Sequence, residues 1–197
     1  MDKALFKQAD LKQTELRAPR MGTTYAGPPA GGAEPSFDLI ELMFFAYRDF
    51  VADADHLLEN FGLGRAHHRV LHFVNRRPGL SIAELLEILK ITKQSLNRVL
   101  KELLDKDYVE ARHGARDRRQ RQLFLTARGR VLALAVANLQ SKRFAEVFAE
   151  LGDGARAGAT DFLLAMINAN ERDKVAALIG PRAVTGFPHV LDERTRR

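Results

Sequence analysis

The segment Ser81–Gly129, "SIAELLEILKITKQSLNRVLKELLDKDYVEARHGARDRRQRQLFLTARG", decides how the whole chain is read. Ser81 followed three residues later by Glu84 is the pattern of a reciprocal helix cap, in which hydroxyl and carboxylate each take a free backbone N–H. A short break at Lys90-Ile91 follows, and Thr92 can cap a second helix, "TKQSLNRVLKELLDKDY". Two short helices joined by about three residues make a helix-turn-helix candidate. Beyond them, "YVEAR" (Tyr108–Arg112) and "QLFLT" (Gln122–Thr126) are short strands that pair as a hairpin. Its tip holds Arg116, Arg118, Arg119 and Arg121, interrupted only by Asp117 among charged residues.

Charge is concentrated in the same place. The 197-residue chain has a formal net charge of +6. Between Ile91 and Arg130 eleven basic residues face five acidic ones, so this one segment holds the whole surplus. Such a concentration fits a phosphate backbone better than a solvated surface of mixed sign. On a helical wheel, Leu96, Val99, Leu100, Leu103 and Leu104 form an apolar stripe expected to pack on the preceding helix. The opposite side shows Lys93, Gln94, Asn97, Arg98 and Lys101. Gln or Asn can pair with adenine, Arg with guanine, while Lys and small hydroxyls hold phosphates. A polar face also serves any solvated helix. The arginine tip tilts the balance, because narrow A·T-rich minor grooves attract guanidinium, and Asp117 is placed to hold the direction of Arg119. The hairpin therefore reads as a wing.

Working outward, "FDLIELMFFAYRDFVADADHLLEN" (residues 37–60) is helical and oily on more than one side, which calls for cover from several neighbours and suggests a second copy of the chain. Gly64–Arg76 makes another helix, stopped by Pro78-Gly79. Arg130–Leu151 reads as a long helix broken by "GDGARAG", and one last helix is expected from about Thr160 to Ile179. The Gly- and Pro-rich start, residues 1–36, reads as a flexible arm, and residues 181–197 as a loosely held tail. No cysteine is present, so disulfides and thiolate metal sites are excluded. No apolar run is long enough to span a membrane, and the polar start lacks a signal peptide's apolar stretch, so a cytoplasmic protein with no membrane partner is expected.

This arrangement, from Phe37 to Ile179, resembles the MarR family of winged helix-turn-helix regulators, and "FFAYRDF" and "GRAHHRVLHFV" resemble its LdtR-like and PetP-like branch. The family's Asp-any-Arg wing signature and its Leu-Thr-any-any-Gly sequel fall on Asp117, Arg119, Leu125, Thr126 and Gly129. The resemblance implies that Arg119 enters the minor groove braced by Asp117, and that Ser95, Asn97 and Arg98 belong to the contact-making part of the recognition helix. Two positions depart from the pattern: Gly114, where many members have another Asp, and Gly64, in place of a Ser/Thr cap.

The resemblance further implies a mainly α fold with a small β-hairpin wing: a winged helix-turn-helix domain (63–129) and a helical dimerisation region (37–62 and 130–180). A homodimer would bind double-stranded DNA at a near-palindromic site. It would usually act as a repressor, with a small-molecule effector held between the dimer helices and the winged domains. The DNA contacts expected overall are Ser81, Thr92, Lys93, Gln94, Ser95, Asn97, Arg98, Lys101, Arg116, Asp117, Arg118, Arg119 and Arg121. An aromatic or phenolic effector is expected against Phe44, Tyr47, Arg48, His67, His68 and Phe73, although the same residues can simply fill core and interface.

His67, His68 and His72 also permit a metal-responsive reading, weakened by the lack of a carboxylate at ligand spacing on that helix. No resident metal or other cofactor is expected. A metal-dependent hydrolase has less support: HExxH, a nucleophile elbow and a phosphate-cradling glycine loop are all missing.

Overall fold

The computed structural model describes residues 35–113 and 120–180. Among these described residues seven helices and three strands follow in the order α1 (Phe37–Glu59), α2 (Arg65–Arg76), β1 (Leu80–Ser81), α3 (Ile82–Leu89), α4 (Lys93–Asp105), β2 (Val109–His113), β3 (Arg121–Leu125), α5 (Ala127–Leu151), α6 (Ala155–Met166) and α7 (Ala169–Ile179). The fold is mainly α with a small antiparallel sheet, as expected.

The caps form where the side chains permit. Glu84 N–H donates to Ser81 Oγ at 3.2 Å while Ser81 N–H donates to Glu84 Oε2 at 2.8 Å, so α3 starts on the reciprocal cap. Thr92 Oγ1 accepts Ser95 N–H at 3.2 Å and opens α4. Between the two helices Lys90 lies in the left-handed region at φ +50°, which turns the chain sharply.

The hairpin pairs Val109 with Leu125 and His113 with Arg121. A third strand, β1, joins it on the far side of β3, with Leu80 opposite Leu123. The Pro78-Gly79 turn sets this up: Gly79 takes φ +91° and donates its N–H to Leu123 O at 2.8 Å.

One apolar core joins these elements, with Leu58, Leu71, Leu85, Leu96, Leu103, Tyr108, Leu123 and Val136 essentially sealed from solvent. The stripe of α4 buries Leu96, Val99, Leu100 and Leu103. It closes on α2 and β2 and shares one apolar core with Leu85, Leu86 and Leu89 of the preceding helix.

The joint between sheet and α5 is tight. Thr126 Oγ1 accepts Gly129 N–H at 3.0 Å and donates to Asp107 O at 2.7 Å. Arg128 lies over the Tyr108 ring at 4.5 Å and donates to its hydroxyl at 3.0 Å. Gly129 packs on the Tyr108 backbone so closely that a Cβ there would stand 1.9 Å from the carbonyl oxygen. This cap starts α5 three residues before the expected Arg130.

At the far end two sequence expectations need correction. Only Gly152-Asp153-Gly154 breaks the chain, because Ala155 to Gly158 already belong to α6. The expected single last helix is two, divided at Ile167-Asn168, where Ile167 is extended at ψ 139°. Arg172 secures the division by donating to Ile167 O at 2.8 Å and Ala165 O at 2.7 Å. From there α7 is tied to the helix-turn-helix. Lys174 pairs with Glu87 at 3.1 Å and Lys90 with Glu171 at 3.6 Å, while Arg77 donates to the carbonyls of Ala177 and Leu178 at 3.2 and 3.0 Å.

Helices α1 and α5 cross through Phe50 against Phe144 at 5.1 Å and the Arg143–Asp53 pair at 2.9 Å. Only Val51, Ala54 and Leu58 of α1 are buried. Its first half leaves Phe37, Leu39, Ile40, Leu42, Met43, Phe44, Phe45 and Tyr47 exposed, and Val131, Leu134, Phe144, Val147 and Leu151 of α5 are exposed as well.

Candidate nucleic-acid interface

The polar side of α4 lies open: Lys93, Gln94, Ser95, Asn97, Arg98 and Lys101 are all exposed, while the leucines between them point inward. Thr92 is exposed too, and its hydroxyl, which caps the helix, lies 2.9 Å from that of Ser95. Ser81 is half-buried, with its hydroxyl donating to Glu84 Oε2 at 2.7 Å. A recess of about 450 Å³ opens between the starts of α3, α4 and β3, lined in part by Ser81, Lys93 and Arg121. Neither Lys93 nor Arg121 has an anionic partner among the described residues, which leaves two cations available to a phosphate.

Arg116, Asp117, Arg118 and Arg119 lie outside the described residues, as does Gly114. The strands on either side of that segment pair, and Arg112 braces them by stacking on Phe124 at 4.6 Å while pairing with Glu110.

Arg98 has a neighbour that sequence reading missed. Its Nε lies 3.6 Å from Glu102 Oε1, and Glu102 Oε2 lies 3.0 Å from His67 Nε2. His67 Nδ1 accepts Gly64 N–H at 3.0 Å, which supplies at the start of α2 the cap interaction that Gly64, lacking a side chain, cannot offer. The i, i+4 spacing of Arg98 and Glu102 was visible in the sequence, whereas the partner 35 residues away was not.

The six residues expected around an effector divide between α1, with Phe44, Tyr47 and Arg48, and α2, with His67, His68 and Phe73. Phe44 and Tyr47 are exposed, with the Arg65 guanidinium 5.7 Å from the Tyr47 ring. Arg48 stacks on Phe45 at 4.9 Å and pairs with Asp49 at 2.8 Å. His67 is engaged as above. The His68 and His72 rings meet edge-on at 6.4 Å, and His72 meets Phe73 at 5.1 Å. Desolvation by surrounding protein, then the charge of His72, holds His68 below the usual histidine range. His72 is lowered likewise, by desolvation first and then by Arg76.

Of these six, Phe73 also lines a recess that the other five do not line. This recess of about 670 Å³ lies between α2, α3 and α7, with Leu80, Ile88, Val175 and Leu178 as apolar walls and Arg76 at its edge. Among the described residues no three His, Cys, Asp or Glu side chains converge as metal ligands.

Residues 61–120 match the profile of the MarR family. Over 129 residues the chain is 48% identical to PetP, an HTH-type transcriptional regulator of Rhodobacter capsulatus, an alignment spanning 66% of this chain and 78% of that one. The chain belongs to the MarR family. MarR proteins are DNA-binding transcriptional regulators with a winged helix-turn-helix and are not enzymes, so the hydrolase alternative falls.

Solved MarR structures share the fold. A MarR transcriptional regulator from Methanosarcina mazei Go1 superposes with a TM-score of 0.58 at 24% identity, over 71% of this chain and 99% of that one. A MarR protein from Peptoclostridium difficile gives 0.59 at 20% identity, over 73% and 95%. Among the described residues no helix is long and apolar enough to cross a membrane.

Proposed function

We propose that this MarR-family regulator works in the cytoplasm as a homodimer that sets two α4 helices in successive major grooves of a near-palindromic duplex. The observation that carries this reading is the open row Lys93, Gln94, Ser95, Asn97, Arg98 and Lys101, presented by a capped helix whose other side is locked in the core. Two-fold symmetry puts the recognition helices about 34–36 Å apart, one turn of DNA. The arginine wing reaches the flanking minor grooves, with Arg119 as reader and Asp117 as brace. Residues 63–129 form the DNA-binding domain, and residues 37–62 and 130–180 the dimerisation region, whose exposed apolar side chains the partner covers.

The regulator acts as a repressor released by a small effector. The recess between α2, α3 and α7 supports this part, because it combines apolar walls with polar edges and sits where a dimerisation helix meets the helix-turn-helix. Filling it would shift α7 against α3 and alter the separation of the two readers.

Selection of bound duplexes from a random pool, followed by binding across a salt series, tests the reading. A two-fold-related consensus and a steep loss of affinity with salt are expected. Binding that is indifferent to sequence would overturn it. Arg119→Ala is expected to cost about 1–3 kcal/mol on the selected duplex, and Asn97→Ala to relax preference at one position in each half-site.

A further inference from the structure

Glu102 is out of place on a surface that meets phosphates. It stands on the recognition helix, half-exposed, where a carboxylate repels the DNA backbone. Its contacts explain its presence. One oxygen faces Arg98 Nε at 3.6 Å and the other faces His67 Nε2 at 3.0 Å. Because His67 Nδ1 accepts the backbone N–H of Gly64, that nitrogen holds no proton. The ring proton is therefore on Nε2, and His67 donates it to Glu102.

Arg98 itself is 85% exposed, so a long side chain free of any neighbour would sweep many rotamers. The carboxylate limits that sweep, and His67 limits the carboxylate. A second tie holds the same two parts together, since Lys106, which ends α4, donates from Nζ to Phe61 O at 3.1 Å and Gly62 O at 2.8 Å. The α1–α2 corner and the recognition helix are thus joined at two points, one of which continues to the guanidinium.

We propose that Glu102 is a positioning residue for base recognition, aiming Arg98 and passing to it the placement of the α1–α2 corner through His67. This rests on the reading of Arg98 as a base contact. On DNA binding the guanidinium leaves or shares its carboxylate from a restricted starting direction, so fewer conformations are lost at the correct base than at a wrong one.

The test measures discrimination, the affinity ratio between the selected duplex and duplexes changed at single positions, on the full-length protein. Glu102→Gln is expected to reduce discrimination about two- to five-fold, the range set by an exposed ion pair, while leaving affinity for random duplex equal or higher. His67→Ala should act the same way, and His67→Gln, which keeps an amide donor for Glu102, should recover part of the loss. In the Arg98→Ala background Glu102→Gln should change nothing further.

If Arg98→Ala lowers discrimination while Glu102→Gln leaves it intact, the positioning role is overturned and Arg98 stands as reader. If Arg98→Ala itself leaves discrimination intact, the base-contact reading fails and the proposal with it. Additive losses in the double variant would also overturn it. Melting temperature is followed in each variant, and should Glu102→Gln not fold, Glu102→Asp, which keeps the charge but falls short of both partners, is expected to lose discrimination in the same direction.

Discussion

A methyl group added to Gly129 would collide with the Tyr108 carbonyl, a backbone group just before β2 that cannot swing aside as a side chain would. Gly129→Ala is therefore expected to destabilise the protein by about 2–3 kcal/mol, read as a lowered midpoint in urea. Titration offers a second measurement at this scale. His68 and His72 both have folded-state pKa values below the usual histidine value of 6.5. The folded state therefore binds fewer protons than the unfolded one as pH drops. Their contribution is present above pH 6.5 and is lost as pH falls from there through the lowered values. Stability should decline across that window, and His68→Gln with His72→Gln should flatten the decline.

Residues whose partners are near in sequence were legible: Ser81 with Glu84, and Thr92 at the start of α4. His67 was read as an effector or metal contact, because nothing in the sequence links it to Glu102 across 35 positions.

At the scale of elements, the helix-turn-helix and the hairpin were legible because their apolar periods and turn residues are local. Two residues of β1 were not, since a strand that short has no period and exists only because Gly79 turns Leu80 toward Leu123. The division of α6 from α7 was hidden for a similar reason. Residues 160–179 contain no Gly or Pro, and the interruption is secured by Arg172 reaching back to carbonyls. Caps are the element-scale features most open to test. Thr126→Ala removes both the acceptor for Gly129 N–H and the donor to Asp107 O, and is expected to cost about 1–2 kcal/mol in the same urea experiment.

For the molecule as a whole, the first half of α1 is a run of exposed apolar side chains among the described residues, as the sequence had signalled. Its oiliness on several sides was legible, but the identity of the covering surface was not, because a pattern shows that cover is needed and not what supplies it. Phe44 is 63% exposed, so Phe44→Glu should leave the single chain folded and convert a sedimenting dimer to a monomer with much weaker operator binding. A variant that stays dimeric would place the interface elsewhere.

The welded joint at Thr126, Arg128 and Gly129 has a mechanical result. With α5 tied to the sheet there, its 25 residues make a rod about 37 Å long, and a tilt of about 5° about its distant end displaces the end that joins the sheet by about 3 Å. That is close to the rise of one base pair, about 3.4 Å. In the proposed dimer, tolerance for longer or shorter operators would then follow the stiffness of this rod. Softening its middle with paired glycines would widen the set of spacings accepted, with every base contact left untouched.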